Sequence, residues 1–185
     1  YVTAGSMAGD GVISANGGGT RRTGQYSGGG GGGRVALVLT NGSSFDAIAI
    51  TAYGGRGGYS GGQYGGAGTI YLKTMADAYG ALIIDNSNQT VMATTLLRDG
   101  VTETTVGTVL LRNAAKLVVS NQTLTAHGDW TNQATLVTSS DSTVVFAGTN
   151  PAVVTGTNSF SALTCTVPGK TLQFAAGSSN EVRDT

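Results

Sequence analysis

Residues 109–146 read VLLRNAAKLVVSNQTLTAHGDWTNQATLVTSSDSTVVF, and this stretch decides the fold. Its apolar centres fall at Leu110, Val118, Leu124, Trp130, Leu136 and Val145, six to nine residues apart, and the series continues at Val154, Leu163 and Leu172. One strand of about five residues plus a short turn fills that distance. Bursts such as Leu117-Val-Val119 are runs of consecutive apolar residues, whereas a sandwich strand alternates and returns through a tight hairpin. Strand and turn repeated at this pace predict a parallel β-helix (β-solenoid), in which successive coils stack around one apolar axis. A β-sandwich or mixed β form is the alternative. Asp99-Gly100, between Leu96 and Val101, and Asn41-Gly42 are the hairpin-like signals in its favour.

Working outward, the bursts Val35–Leu39, Ala47–Ile50, Thr69–Leu72 and Leu82–Ile84 extend the strand pattern toward the start of the chain. The only helix-like stretch, Met75–Gly80, is too short to hold a helix alone. Of the 31 glycines, 24 lie in residues 1–80 and 7 beyond. The chain therefore divides into a glycine-rich part, 1–80, and a Thr/Val-rich part, 81–185, expected to be continuous with it. The first part is internally duplicated. Ile13-Ser-Ala-Asn-Gly-Gly18 matches Ile50-Thr-Ala-Tyr-Gly-Gly55 at an offset of 37, and Gly33-Arg-Val-Ala-Leu37 matches Gly68-Thr-Ile-Tyr-Leu72 at an offset of 35. Each unit reads as strand, glycine-rich excursion, strand. Because the copies keep their Gly-Gly pairs in place, the excursions are expected to be ordered side loops, extended and hydrogen-bonded through their backbones.

Charged residues make up 11% of the chain and balance to zero net charge, so no basic footprint for nucleic acid or an anionic membrane exists. No apolar run approaches the roughly 20 residues that span a bilayer. The single cysteine, Cys165, permits no internal disulfide and reads as a small buried hydrophobe in a strand. The strand pattern still runs at Val182, so the coil stack is expected to continue into more chain or to self-associate end to end.

Two stretches carry a resemblance. Gly28–Leu39 followed by Tyr53–Lys73, closing on Gly-Gly-Ala-Gly-Thr-Ile-Tyr-Leu-Lys (65–73), resembles glycine-rich repeats of large bacterial surface proteins. Val144–Asn150, Val154–Phe160 and Lys170–Gly177 resemble another repeat of the same kind of protein. These proteins are similar to the filamentous haemagglutinin and autotransporter-adhesin class, whose shafts are parallel β-helices. The resemblance covers about half of the chain. It implies export to the cell surface and a role as shaft, adhesin or coat, and it supplies no catalytic residues.

The candidate chemistry is sparse. Gly28–Gly33 contains a G-x-G-x-x-G, but it precedes a strand and opens no helix, as a dinucleotide site requires. Gly169-Lys-Thr171 lacks the earlier glycine of a phosphate loop, since position 164 is threonine. His127, the only histidine, sits beside Asp129 and reads as a turn residue next to a buried Trp130. One His and one Cys make no usual zinc site. The ten carboxylates are scattered singly. Tyrosines gather at the glycine excursions, with Arg21, Arg22 and Arg56 nearby. Tyr26, Tyr53, Arg56, Tyr59 and Tyr64 are the candidate face for a surface glycan or a partner, because Tyr and Arg give large contact area with polar tips. The competing reading is that these tyrosines pin the glycine loops to the flank. The sequence thus leads to a non-catalytic structural segment of a secreted or cell-surface protein, without cofactor, metal or catalytic residues. The alternatives are a carbohydrate-binding adhesin and, behind it, a β-helix enzyme that degrades polysaccharides.

Overall fold

The computed structural model describes residues 1–20, 27–58, 63–89, 93–138 and 141–184. Among them there is no helix. The strands of the first part are β1 (Val2–Ala4), β2 (Val12–Ser14), β3 (Arg34–Leu39), β4 (Ala49–Thr51) and β5 (Thr69–Lys73). Those of the second are β6 (Ala81–Asp85), β7 (Thr95–Leu97), β8 (Thr105–Val106), β9 (Val109–Arg112), β10 (Lys116–Val119), β11 (Thr123–Ala126), β12 (Trp130–Asn132), β13 (Thr135–Thr138), β14 (Thr143–Phe146), β15 (Ala152–Thr155), β16 (Thr157–Phe160), β17 (Ala162–Thr164), β18 (Leu172–Phe174) and β19 (Ser179–Val182).

From β6 onward the chain visits three sheets in turn. One sheet runs β1-β3-β5-β6-β9-β12-β15-β18, a second β7-β10-β13-β16-β19, and a third β8-β11-β14-β17. Each strand pairs in parallel with the strand three further along, so side chains of like position stack into columns. Val109, Trp130 and Val154 make one buried column, Leu117 and Leu136 a second, and Leu124 and Val144 a third. Trp130, fully buried, lies edge-on to Phe160 with ring centroids 5.7 Å apart and is tilted against Phe146 at 6.3 Å. Burying each such side chain stabilises the fold by about 1.5–3 kcal/mol.

The corners are tight because the residues there accept unusual backbone angles. Asn113 and Ala114, between β9 and β10, and Asn121, between β10 and β11, all have positive φ near 50–60°. Asn tolerates that region, while Ala114 is strained in it. The Asp99-Gly100 turn, with Gly100 at φ 88°, does not close a hairpin. Its flanking strands β7 and β8 belong to different sheets and pair with β10 and β11. Asn41-Gly42 likewise joins β3 to β4, which do not pair with each other. Among the described residues one antiparallel strand pair occurs, β5 with β6, and the stretch 75–80 lies in the loop that joins them.

That antiparallel joint changes which face of the long sheet is buried. Ile70, Leu72 and Ile83 pack with Val35, Leu37 and Ala52 on one face. Tyr71, Leu82 and Ile84 join the larger core on the other. The two parts of the chain therefore share a sheet and use opposite sides of it.

The duplicated copies found in the sequence are paired in space. Val12–Ser14 runs parallel to Ala49–Thr51 with Ile13 opposite Ile50, and Arg34–Val38 runs parallel to Thr69–Lys73 with Val35 opposite Ile70. The offsets of 37 and 35 are the pairing registers themselves.

Candidate functional site

Between those strands four glycine-rich runs, 15–20, 28–33, 52–58 and 63–68, lie side by side, bonded through backbone groups. In the second run Gly29 and Gly32 donate N–H to Gln63 and Gly66 of the fourth, while Gly30 and Gly33 donate to Gly18 and Ala15 of the first. Gly55 and Gly58 in the third donate to Gly30 and to Ser27, just ahead of the second, and Gly65 and Gly68 in the fourth donate to Gly55 and Ala52 of the third. In each case a given neighbour is met every third residue. That is the signature of a three-residue-per-turn extended helix, which satisfies its backbone only through neighbouring chains. The four described glycine runs are thus ordered as a polyglycine bundle.

The packing admits no side chain at its centre. A Cβ on Gly54 would fall 1.8 Å from the Gly65 oxygen, one on Gly65 2.0 Å from the Gly30 oxygen, and one on Gly68 1.8 Å from the Gly33 oxygen. The bundle is fastened to the strand stack by Asn86, which is fully buried. Its Oδ1 accepts from the Gly54 N–H at 2.9 Å and its Nδ2 donates to the Gln89 carbonyl at 3.1 Å. Thr95 Oγ1 donates to the Ala67 carbonyl at 2.7 Å, and Ala67 joins the main core.

Of the expected tyrosine–arginine face, Tyr53, Arg56 and Tyr64 are among the described residues. Tyr53 is half-buried and lines a small cavity of about 80 Å³ with Asp85, Ser87 and Asn113. Arg56 is exposed, and Tyr64 lines a different and far larger groove. Tyr26, Tyr59, Arg21 and Arg22 lie outside the described residues.

The large groove measures about 1380 Å³. It exists because the long sheet carries β1, β3 and β5 beyond β6, while the other two sheets start only at β7 and β8. Ala36, Val38 and Tyr71 form its floor, the segment 93–106 one wall and the glycine runs the other. Five charged side chains reach it: Arg34, Lys73, Arg98, Asp99 and Glu103. Among the described residues none of the five is in an ion pair. Tyr71 Oη accepts from the Gly80 N–H at 2.8 Å, which fixes its ring at the groove floor. Sequence reading missed Tyr71, because its Thr-Ile-Tyr-Leu-Lys setting reads simply as a strand.

No family model matches the chain, and no curated protein or solved structure matches it.

The remaining polar candidates have structural partners. His127 stacks on Tyr79 with ring centroids 4.0 Å apart. Burial, and then the nearby Lys170 charge, hold its pKa below the usual histidine value. Lys170 Nζ donates to the carbonyls of Asn150 and His127. Asp129 accepts from the Val153 N–H at 2.8 Å. Asp85 receives Arg112 Nε at 2.7 Å, Asn113 Nδ2 and the Ser87 N–H. Burial works to raise its pKa, but those three donors and the Arg112 charge outweigh it, and the carboxyl sits below its ordinary value of 3.8. Cys165 is exposed and lies one residue past β17, which corrects its reading as a buried strand residue. Among the described residues no three His, Cys, Asp or Glu side chains cluster to hold a metal.

Inside the strand stack, asparagines form a ladder. Asn158 Oδ1 accepts from Trp130 Nε1 and from Asn132 Nδ2, each at 2.9 Å, and Asn158 Nδ2 donates to Asn180 Oδ1 at 2.8 Å. Such a ladder satisfies buried amides one layer at a time and fixes the register between layers.

Proposed function

We propose that this chain is a non-catalytic structural segment of a secreted or cell-surface protein, serving as shaft, filament or coat. Residues 81–184 act as a three-sided parallel β-solenoid, and the polyglycine bundle braces one end of it. The observation that supports this reading is the in-register recurrence of three strands per circuit, with like residues stacked through successive layers. A stack of this kind resists shear, because every layer is held by backbone ladders, by columns of Leu, Val and Trp, and by the asparagine ladder. Its polar atoms are largely committed to holding the fold, as Asp85, Asp129 and His127 illustrate.

The reading is tested by antibody labelling of intact producing cells together with assays on a panel of polysaccharides. Surface label with no cleavage of any polysaccharide is expected. Label confined to the cell interior, or turnover of a polysaccharide, overturns it. A Phe160→Asp variant is expected to lose both fold and label, since Phe160 is fully buried against Trp130.

A further inference from the structure

The groove beside the glycine bundle has features that holding the fold together does not account for. In the second glycine run the N–H groups of 29 and 32 bond to the fourth run and those of 30 and 33 to the first, while the third run is met through the Ser27 and Gly30 carbonyls, so the direction of the remaining N–H groups is free. Gly28 and Gly31 occupy that direction and line the groove, and their N–H groups meet no acceptor among the described residues. The same line ends at Arg34, whose side chain also lines the groove. Two backbone donors and one guanidinium are thus set out three residues apart, about 9 Å at the rise of such an extended helix. Lys73 and Arg98 add two cations to the same groove.

Gly28 and Gly31 are, in addition, glycines the bundle does not require. A Cβ on Gly31 would come no closer than 3.8 Å to any neighbour, and one on Gly28 no closer than 4.0 Å. At Gly29, Gly32, Gly54 and Gly65 the same test gives backbone overlaps near 2 Å, whereas Gly18 is open too but does not line the groove. Bare backbone facing an open groove lets a ligand approach the N–H groups directly.

We propose that this groove binds an extended acidic oligosaccharide, one bearing carboxylates on sugars along its length. The acidic groups are received by Arg34, Lys73 and Arg98, and ring and hydroxyl oxygens by the Gly28 and Gly31 N–H groups. The donor spacing is close to the repeat of an extended disaccharide. The open floor of Ala36, Val38 and Tyr71 takes the apolar faces of the sugar rings. Asp99 and Glu103 stand on the exposed loop of the opposite wall and accept from sugar hydroxyls.

Titration calorimetry of the full chain with uronate oligosaccharides, with neutral glucan oligomers of the same length, and with an extended glycine-rich peptide tests the assignment. Binding of the uronate oligomers, weakened by salt and absent with the neutral oligomers and the peptide, is expected. Arg34→Gln should weaken binding about tenfold. Gly31→Ala should weaken it at least as much without lowering the melting temperature, because its methyl group enters the groove and meets only the Gly66 oxygen, at 3.8 Å. No uronate binding, preference for the neutral oligomer or the peptide, or affinity unchanged in both variants would overturn the proposal.

Discussion

Replacing Gly55 by alanine is the sharpest perturbation the glycine bundle offers. Its Cβ would stand 2.2 Å from the Gly18 oxygen, 2.5 Å from the Gly18 carbon and 2.6 Å from the Gly17 oxygen. Ordinary contact begins near 3.4 Å, so the first and third runs must part by about 1.2 Å. All three obstacles are backbone, and no side chain can swing aside. The same two runs are joined by Gly17 N–H to the Tyr53 carbonyl at 2.8 Å and Thr20 N–H to the Arg56 carbonyl at 3.0 Å, and Gly30 N–H reaches Gly18 at 2.9 Å. Parting them leaves two or three of these groups unpaired, at about 1–3 kcal/mol each. The stiffer unfolded chain of the alanine variant returns about 0.4–1 kcal/mol. The expected net loss is at least about 1 kcal/mol and reaches about 8 kcal/mol if every group stays dry, read as a fall of about 0.5 M or more in the urea midpoint. Gly18→Ala is the control, since a Cβ there meets nothing within 4 Å. It should be neutral or slightly stabilising. Equal unfolding free energies for the two variants, within about 0.5 kcal/mol, would refute the close backbone packing.

Three further outcomes follow from the strand stack. Asn158→Ala leaves Trp130 Nε1 without an acceptor in the interior and Asn132 Nδ2 with the Thr157 carbonyl alone, and should cost about 2–4 kcal/mol in a denaturant titration. Asp85 has a lowered folded-state pKa, so its contribution is present above the ordinary aspartate value and is lost as pH falls through the folded one. Unfolding free energy should therefore drop as pH falls below about 3.8, and this acid limb should be shallower in Asp85→Asn. Ala114→Gly relieves a φ of 60° and should raise stability by about 0.5–1 kcal/mol in thermal or denaturant unfolding, the reverse of the usual sign for that substitution.

Much of the strand architecture was legible because burial on one side of a short strand leaves its mark in residue type. Every apolar centre from Leu110 to Leu172 falls on a strand. The duplication at offsets 37 and 35 reappears as the pairing register, since copies with like residues stack like on like. β16 was hidden because one of its two inward positions, 158, is an asparagine held inside by the ladder, which leaves Phe160 as a single apolar mark at the strand's end. The Asp99-Gly100 turn misled because its local chemistry is that of a hairpin, while the choice of partner strand is made by the stack. The candidate site was only partly legible. The tyrosines cluster in sequence, while Tyr53 and Tyr64 belong to different glycine runs and line separate cavities. The groove arises from strands that two of the three sheets lack, which no local pattern reports.

Scalar couplings across hydrogen bonds, measured by NMR on the labelled chain, probe the polyglycine bundle most directly. Correlations are predicted from the Gly30 amide to the Gly18 carbonyl, from Gly55 to Gly30, and from Gly32 to Gly66, all in amides slow to exchange with solvent. Rapid exchange at these glycines with no such correlations would contradict the account.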